Sequence, residues 1–243
     1  MAKKPPPVTD IREIQVIKHD RSFFLSDLSG DVPKGNTAAL GLYHKDTRFL
    51  SQFELTMNRT RPLLLHSSTE RNYSQLVELA FPFRAVDPQG FEHNENITMT
   101  RNRLLGDALF ERIRVANFGR RKRTIRVSLK FDADFLDLFE VRGAERRERG
   151  QIQEPRLTSN QVTLAYRGLD GATRSTKLNT VCPMICGTSA IRTKRPQVSG
   201  GYPLKRMLAA AITGRSTTVH VAYTIVTYTR RETRWRRLRP MRK

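Results

Sequence analysis

Four acidic residues fall close together in the chain: Asp132, Asp134, Asp137 and Glu140. Paired carboxyl groups are the equipment for cleaving a glycosidic bond, at about 5–5.5 Å for retention of configuration and roughly 6.5–9.5 Å for inversion. Residues two apart on a strand point the same way with backbones about 6.8 Å apart. Asp132 and Asp134 therefore meet the distance requirement. Acids at a strand end are more commonly solvated or paired with nearby arginines. That plainer reading is preferred for all four, and no catalytic residue is assigned.

Tyr43, Asp46, Thr47 and Arg48 form a second candidate group. A sugar site wants an aromatic face for the apolar side of the ring, with carboxylate and guanidinium groups to hold the hydroxyls. These four could supply both at a loop edge. The competing reading pairs Asp46 with Arg48 and packs Tyr43 into the core. His44 and the other histidines lack partners at metal-ligand spacing. Cys182 and Cys186 sit in Cys-Pro-Met-Ile-Cys, where they could form a local disulfide or a redox pair. No second pair or nearby histidine completes a zinc set, so they read as two ordinary thiols. Walker-type and dinucleotide glycine patterns are absent, and no cofactor or metal is expected.

Arg230, Arg231, Arg234, Trp235, Arg236 and Arg237 interleave one aromatic with many cations. Such a run can grip phosphates and stack a base, but it matches no recognised reader motif. Its setting matters more than the run itself. From Ala172 to Lys243 there are sixteen basic residues and one acidic residue, a net +15 of the chain's +21. Residues 1–171 are only mildly basic. The alternative to a nucleic-acid tail is a solvated basic segment. The start, Met1-Ala2-Lys3-Lys4-Pro5-Pro6-Pro7, lacks the apolar stretch of a secretory signal, and no run approaches the length of a membrane span. A cytoplasmic location with no membrane partner is expected, which leaves the Asn58, Asn72 and Asn96 glycosylation triplets without a role.

What must position these groups is mostly strand. Residues 14–18 and 22–26 predict a hairpin around Asp20-Arg21, followed by a Gly/Asp/Pro-rich loop over 29–36. Strands are expected over 38–44 and 47–57, with Asn58–Arg61 turning into Leu63-Leu64-Leu65. In 109–117 the residues Leu109, Ile113 and Val115 share one face, as do Ile125, Val127, Leu129, Phe131 and Ala133 in 124–133. Pairing these two strands would bury both apolar faces against a second sheet, with Arg112, Arg114, Arg126 and Lys130 outward. Residues 142–156 predict an exposed loop. Strands over 161–167 and 174–178 flank a Gly168–Gly171 turn, and the sheet is expected to end there. Beyond it, Leu204, Met207, Leu208 and Ala211 fit a helical face, and 217–229 is a strong β-former with no obvious partner.

Three segments carry a resemblance. They are Gly41-Leu42-Tyr43-His44-Lys45-Asp46-Thr47-Arg48-Phe49-Leu50-Ser51, then Gly106-Asp107 leading into Phe110-Glu111-Arg112-Ile113-Arg114-Val115-Ala116-Asn117, and Phe131-Asp132-Ala133-Asp134-Phe135-Leu136-Asp137-Leu138-Phe139-Glu140-Val141-Arg142-Gly143. In this order and spacing they resemble the N-terminal domain of bacterial amylo-alpha-1,6-glucosidase (glycogen debranching) proteins, from about Ser22 to Gly171. The resemblance implies an all-β, two-layer antiparallel β-sandwich of the supersandwich kind, joined to a helical barrel that carries the catalytic carboxylates. The partners it implies are α-glucan and that separate barrel. The chain divides into 1–21 as an N-terminal arm and first strand, 22–179 as the sandwich domain, and 180–243 as a poorly ordered basic tail. Its Arg-rich, acid-poor composition suggests a truncated or frame-shifted remnant. The expected role is a non-catalytic domain of a debranching α-1,6-glucosidase, and the rival role is nucleic-acid binding through the tail.

Overall fold

The computed structural model describes residues 14–36, 39–86, 92–119, 123–158, 160–181, 191–193, 204–212 and 218–231. Sixteen strands and one short helix run through them. The strands are β1 (Ile14–His19), β2 (Ser22–Asp27), β3 (Gly41–His44), β4 (Thr47–Leu50), β5 (Gln52–Met57), β6 (Leu63–Ser68), β7 (Ser74–Val86) and β8 (Glu92–Leu105). They continue as β9 (Leu109–Asn117), β10 (Arg123–Asp132), then helix α1 (Leu138–Val141), and β11 (Gln151–Leu157), β12 (Gln161–Arg167) and β13 (Ala172–Val181). The last three are β14 (Ile191–Thr193), β15 (Leu204–Ile212) and β16 (Thr218–Arg231).

The fold is an all-β sandwich with antiparallel sheets. One sheet has eight strands in the order β11-β12-β13-β16-β9-β8-β7-β6, and two four-stranded sheets run β1-β2-β3-β4 and β14-β15-β10-β5. A single apolar cluster draws from all three sheets. It includes Phe24, Leu42 and Phe49 of the first small sheet, Leu55, Ile125 and Phe131 of the second, and Val77, Met99, Ile113 and Ile225 of the large one. In β9 and β12 the alternate residues are buried, so the period-2 pattern selects the inward face there.

The expected hairpin of β1 and β2 forms, with Asp20 at φ 47° in its turn. A boundary at residue 21 cuts through this hairpin. The run over 47–57 does not stay in one strand. It breaks at Ser51, whose N–H donates to Asp132 O at 2.9 Å, and the chain passes from the first small sheet into the second. The expected pairing of 109–117 with 124–133 does not form. β9 lies between β8 and β16 in the large sheet, and β10 lies between β5 and β15 in a small one. Alternation says which face is buried and nothing about which strand lies alongside. Five residues separate β9 from β10, enough chain at about 3.3 Å each to cross the ~10 Å between packed sheets. The inward residues are buried all the same, and Arg112, Arg114 and Arg126 face out.

Three further expectations are corrected. The loop over 142–156 ends at Gly150, because β11 pairs with β12 across a bulge between Gln153 and Arg156. The helical face through Leu204 and Ala211 is instead β15, which pairs with β10 over nine positions and so takes its backbone partners from tertiary structure. The large sheet does not end near Leu178. β16 pairs with β13 over ten positions and with β9 over eight, joining the two halves of the sheet.

Candidate functional site

The β3–β4 hairpin turns through Lys45 and Asp46, both at positive φ (47° and 62°), which aims its tip at the segment following β10. That segment is zipped along β4 by backbone bonds. Arg48 N–H donates to Leu136 O at 2.7 Å, Leu138 N–H donates to Asp46 O at 2.8 Å, and Thr47 bridges Asp137. Arg48 adds a side-chain clasp. Its Nε donates to Asp134 Oδ1 at 3.1 Å, its Nη2 to Asp134 Oδ2 at 2.5 Å, and its Nη1 to Leu40 O at 3.4 Å. Asp134 is thus the partner of Arg48, and the expected Asp46–Arg48 pair does not form. Two stretches remote in sequence, Tyr43–Leu50 and Asp132–Val141, become one unit.

Tyr43 is fully buried, donates its hydroxyl to Ala39 O at 2.7 Å and stacks on Phe23 at 4.7 Å between ring centroids. It presents no aromatic face to a ligand. Burial holds its hydroxyl pKa above the usual tyrosine value, against the pull of Arg48. Asp46 is exposed on the turn, and Thr47 is half-buried. Asp132 keeps a raised pKa through burial, its carboxylate accepting from Ala133 N–H at 2.8 Å. Asp137 is the N-cap of α1, accepting from Glu140 N–H at 2.8 Å, while the Glu140 carboxylate accepts from Asp137 N–H at 3.0 Å. This reciprocal capping box uses one oxygen of each acid to hold the start of α1. His44 Nδ1 shares a hydrogen bond with Ser22 Oγ at 2.8 Å.

Beside this unit lies an open cleft of about 150 Å³, lined by Thr47, Phe135, Asp137, Glu140, Arg146 and Glu148, with Tyr166 and the Gly168–Asp170 turn and Arg174 on the far wall. Of the four sequence candidates, only Thr47 reaches it. Phe135 stacks on Tyr166 at 5.8 Å with an 11° interplanar angle and meets Phe49 edge-on at 5.7 Å. Phe135 has φ 53°, unusual for an aromatic residue and held by this packing. Arg146 contacts Asp137 and lies 3.5 Å from Glu140 Oε2, and Arg149 lies 3.2 Å from Glu140 Oε1. Across the cleft Arg174 grips Asp170 as a fork at 3.1 and 2.9 Å, which holds the Asp170 pKa down at about 2. Phe135, Tyr166, Asp170 and Arg174 were not singled out from sequence. The Gly168–Gly171 turn marked a loop, but only the fold brings it opposite α1.

A second polar cluster lies inside the sandwich. Arg101 Nε donates to Glu111 Oε1 at 2.7 Å and its Nη1 to Asp31 Oδ1 at 2.6 Å, while Arg103 Nε donates to Glu111 Oε2 at 2.5 Å. Arg103 Nη1 reaches Gln75 Oε1 at 2.8 Å, and its guanidinium lies 4.9 Å from the Phe24 ring centroid and 5.4 Å from that of Phe53. Burial pushes the Glu111 pKa up, but the two arginines outweigh it and hold it below the usual carboxylate value. For Asp31 burial wins over Arg101, and its pKa is raised. The cluster ties β8 and β9 to the loop after β2, and its closed position gives it a structural role.

The profile of a family described as the N-terminal domain of some glycogen debranching enzymes matches residues 17–186. The chain belongs to this family. All three resembling segments fall within the match, including the clasp and the first half of the cleft. This glycogen-debranching N-terminal domain has no match among curated proteins. One solved structure, described as a heparinase III gene product, is similar at a TM-score of 0.36 and 12% identity, over 72% of this chain and 23% of that one. The chain spans less than a quarter of that protein's length.

Arg230 and Arg231 close β16, opposite Thr173 and Ala172. Arg234, Trp235, Arg236, Arg237, Cys182 and Cys186 lie outside the described residues. Among the described residues no group of three or more His, Cys, Asp or Glu is arranged to hold a metal ion, and no helix is long and apolar enough to cross a membrane.

Proposed function

We propose that this chain serves as the non-catalytic β-sandwich domain of a glycogen-debranching amylo-alpha-1,6-glucosidase. In this reading it supports a helical-barrel catalytic domain and contacts α-glucan at the cleft end of the sandwich. The observation that carries it is the family match over 17–186, which includes both halves of the Arg48–Asp134 clasp. The engagement of the acids 134, 137 and 140 supports the non-catalytic part, since Asp134 and Asp137 are each bound to arginine and Glu140 completes a cap. The test is to incubate the purified chain with a branched α-glucan, follow release of reducing ends, and measure co-sedimentation with glycogen. Co-sedimentation without hydrolysis is expected. Cleavage of α-1,6 branch points by the chain alone overturns the reading.

Nucleic-acid binding through the basic C-terminal region is the second reading, favoured by the +15 net charge carried from Ala172 onward. Deleting residues 180–243 is a poor test, because it removes β16 from the large sheet. Arg234, Arg236 and Arg237 lie outside the described strands, so replacing them by Ala is the better test. Salt-dependent DNA retention that is unchanged in this variant excludes the tail as the reader.

A further inference from the structure

The cleft has a charge balance opposite to that of the chain. The protein is net +21, yet the lining holds four carboxylates, Asp137, Glu140, Glu148 and Asp170, against the guanidinium groups of Arg146 and Arg174 and that of Arg149, which pairs with Glu140 from outside the lining. An anionic sugar entering here meets net negative charge at contact distance. A neutral one does not. Paired groups also suit hydroxyls. The Asp170–Arg174 fork and the Arg146–Asp137 pair hold acceptor oxygens beside N–H donors in fixed geometry. A sugar hydroxyl donates one bond and accepts others, so a held carboxylate–guanidinium pair can answer one or two neighbouring hydroxyls. The exposed Leu169 offers apolar surface for a pyranose C–H face, and the stacked, buried rings of Phe135 and Tyr166 fix the floor beneath it. At about 150 Å³ the cleft is smaller than the roughly 300–1,000 Å³ of a typical drug-sized site, which limits it to a single ring.

From this geometry we infer that the cleft is a binding site for one neutral pyranose unit. The unit is held between the Asp170–Arg174 fork and the Asp137–Arg146 pair, and acidic sugars are rejected. The inference rests on the α-glucan contact proposed above, to which it adds the residues, the size of the site and its charge selectivity.

Gly168 supplies a variant that disturbs the fork without removing a charge. A Cβ there would lie 2.4 Å from Asp170 Oδ1 and 2.6 Å from Arg174 Nη1. Calorimetric titration of the full chain with maltotriose and with a sulfated disaccharide, at low and high salt, is the test. Maltotriose is expected to bind with little salt dependence, and tenfold or more weakly in both Arg174→Ala and Gly168→Ala. Circular dichroism melts of the two variants, matched to the parent, establish that they fold. Sulfated disaccharide is expected to bind only through salt-sensitive contacts that neither variant alters. Maltotriose affinity unchanged in the folded variants overturns the cleft site, with the glucan reading intact if glycogen still co-sediments. Failure of the parent chain to bind either maltotriose or glycogen overturns both.

Discussion

Replacing Glu111 by Gln keeps the shape of the side chain and removes its charge. In the parent chain this carboxylate is fully buried and accepts from the Nε of both Arg101 and Arg103. The amide retains one acceptor and turns a donor toward the other arginine. Arg101 keeps Asp31 at 2.6 Å, whereas Arg103 is left with Gln75 and the rings of Phe24 and Phe53. Breaking one side of a buried ion pair costs about 3–5 kcal/mol, because the remaining charge is uncompensated. Contact with two aromatic faces offsets up to ~2 kcal/mol of that, so a loss near 3 kcal/mol is expected. For a chain of this size each kcal/mol moves Tm by about 2–4 °C. Glu111→Gln should therefore melt ~6–12 °C below the parent by circular dichroism at neutral pH. The double variant Arg103→Met with Glu111→Met removes one charge of each sign and leaves the Arg101–Asp31 pair, so it should be more stable than Glu111→Gln alone. A loss under about 1 kcal/mol in the single variant, or a double variant less stable than it, refutes the uncompensated-charge argument.

Asp134→Ala removes both fork contacts of Arg48, whose side chain is only 9% exposed. A loss of about 2–4 kcal/mol is expected in urea unfolding, and Arg48→Lys, which cannot reproduce the fork, should recover less than half of it. Asp170 is held down at about 2 from an ordinary 3.8, so its stabilisation is complete above the ordinary value and disappears as pH falls toward 2. Because the carboxylate is 43% exposed, the effect is under about 1 kcal/mol. Asp170→Asn should show a smaller stability drop than the parent between about pH 4 and pH 2 in urea titrations. Asn58 and Arg59 occupy the two central positions of the turn after β5 at φ 49° and 69°, with Met57 and Thr60 paired across it. Arg59→Gly should stabilise the chain by about 0.5–1 kcal/mol, since Asn-Gly is the preferred sequence for such a turn; a lower urea midpoint would count against that turn geometry.

Strand identity was legible wherever apolar residues alternate over six or more positions, as in β1, β9, β10 and β12, because side-chain period is a local property of the backbone. Family membership was legible for the same reason, from three short segments in order. The turn after β12 was marked by its glycines. Three features had no local signal. The partner of each strand depends on which sheet the chain enters, and five residues of connection allow β9 and β10 either to pair or to cross. Arg101 and Arg103 occupy inward positions that their residue type places outside, and only the approach of Glu111 and Asp31 makes their burial tolerable. β15 read as helical because Leu, Met and Ala favour helix, until β10 supplied the open edge it pairs with.

The sequence by itself determined that the chain would build antiparallel β layers, which residues would line the core, and which family it resembles. Tertiary structure alone decided that Arg48 holds Asp134 rather than Asp46, that Tyr43 is buried, and that α1 faces the Gly168–Gly171 turn to form a cleft. The Arg48–Asp134 contact spans 86 residues of chain, and the other two outcomes likewise rest on segments that are not neighbours in sequence. A side chain's partner at that separation is set by how the sheets stack, and residue type and spacing carry no record of it.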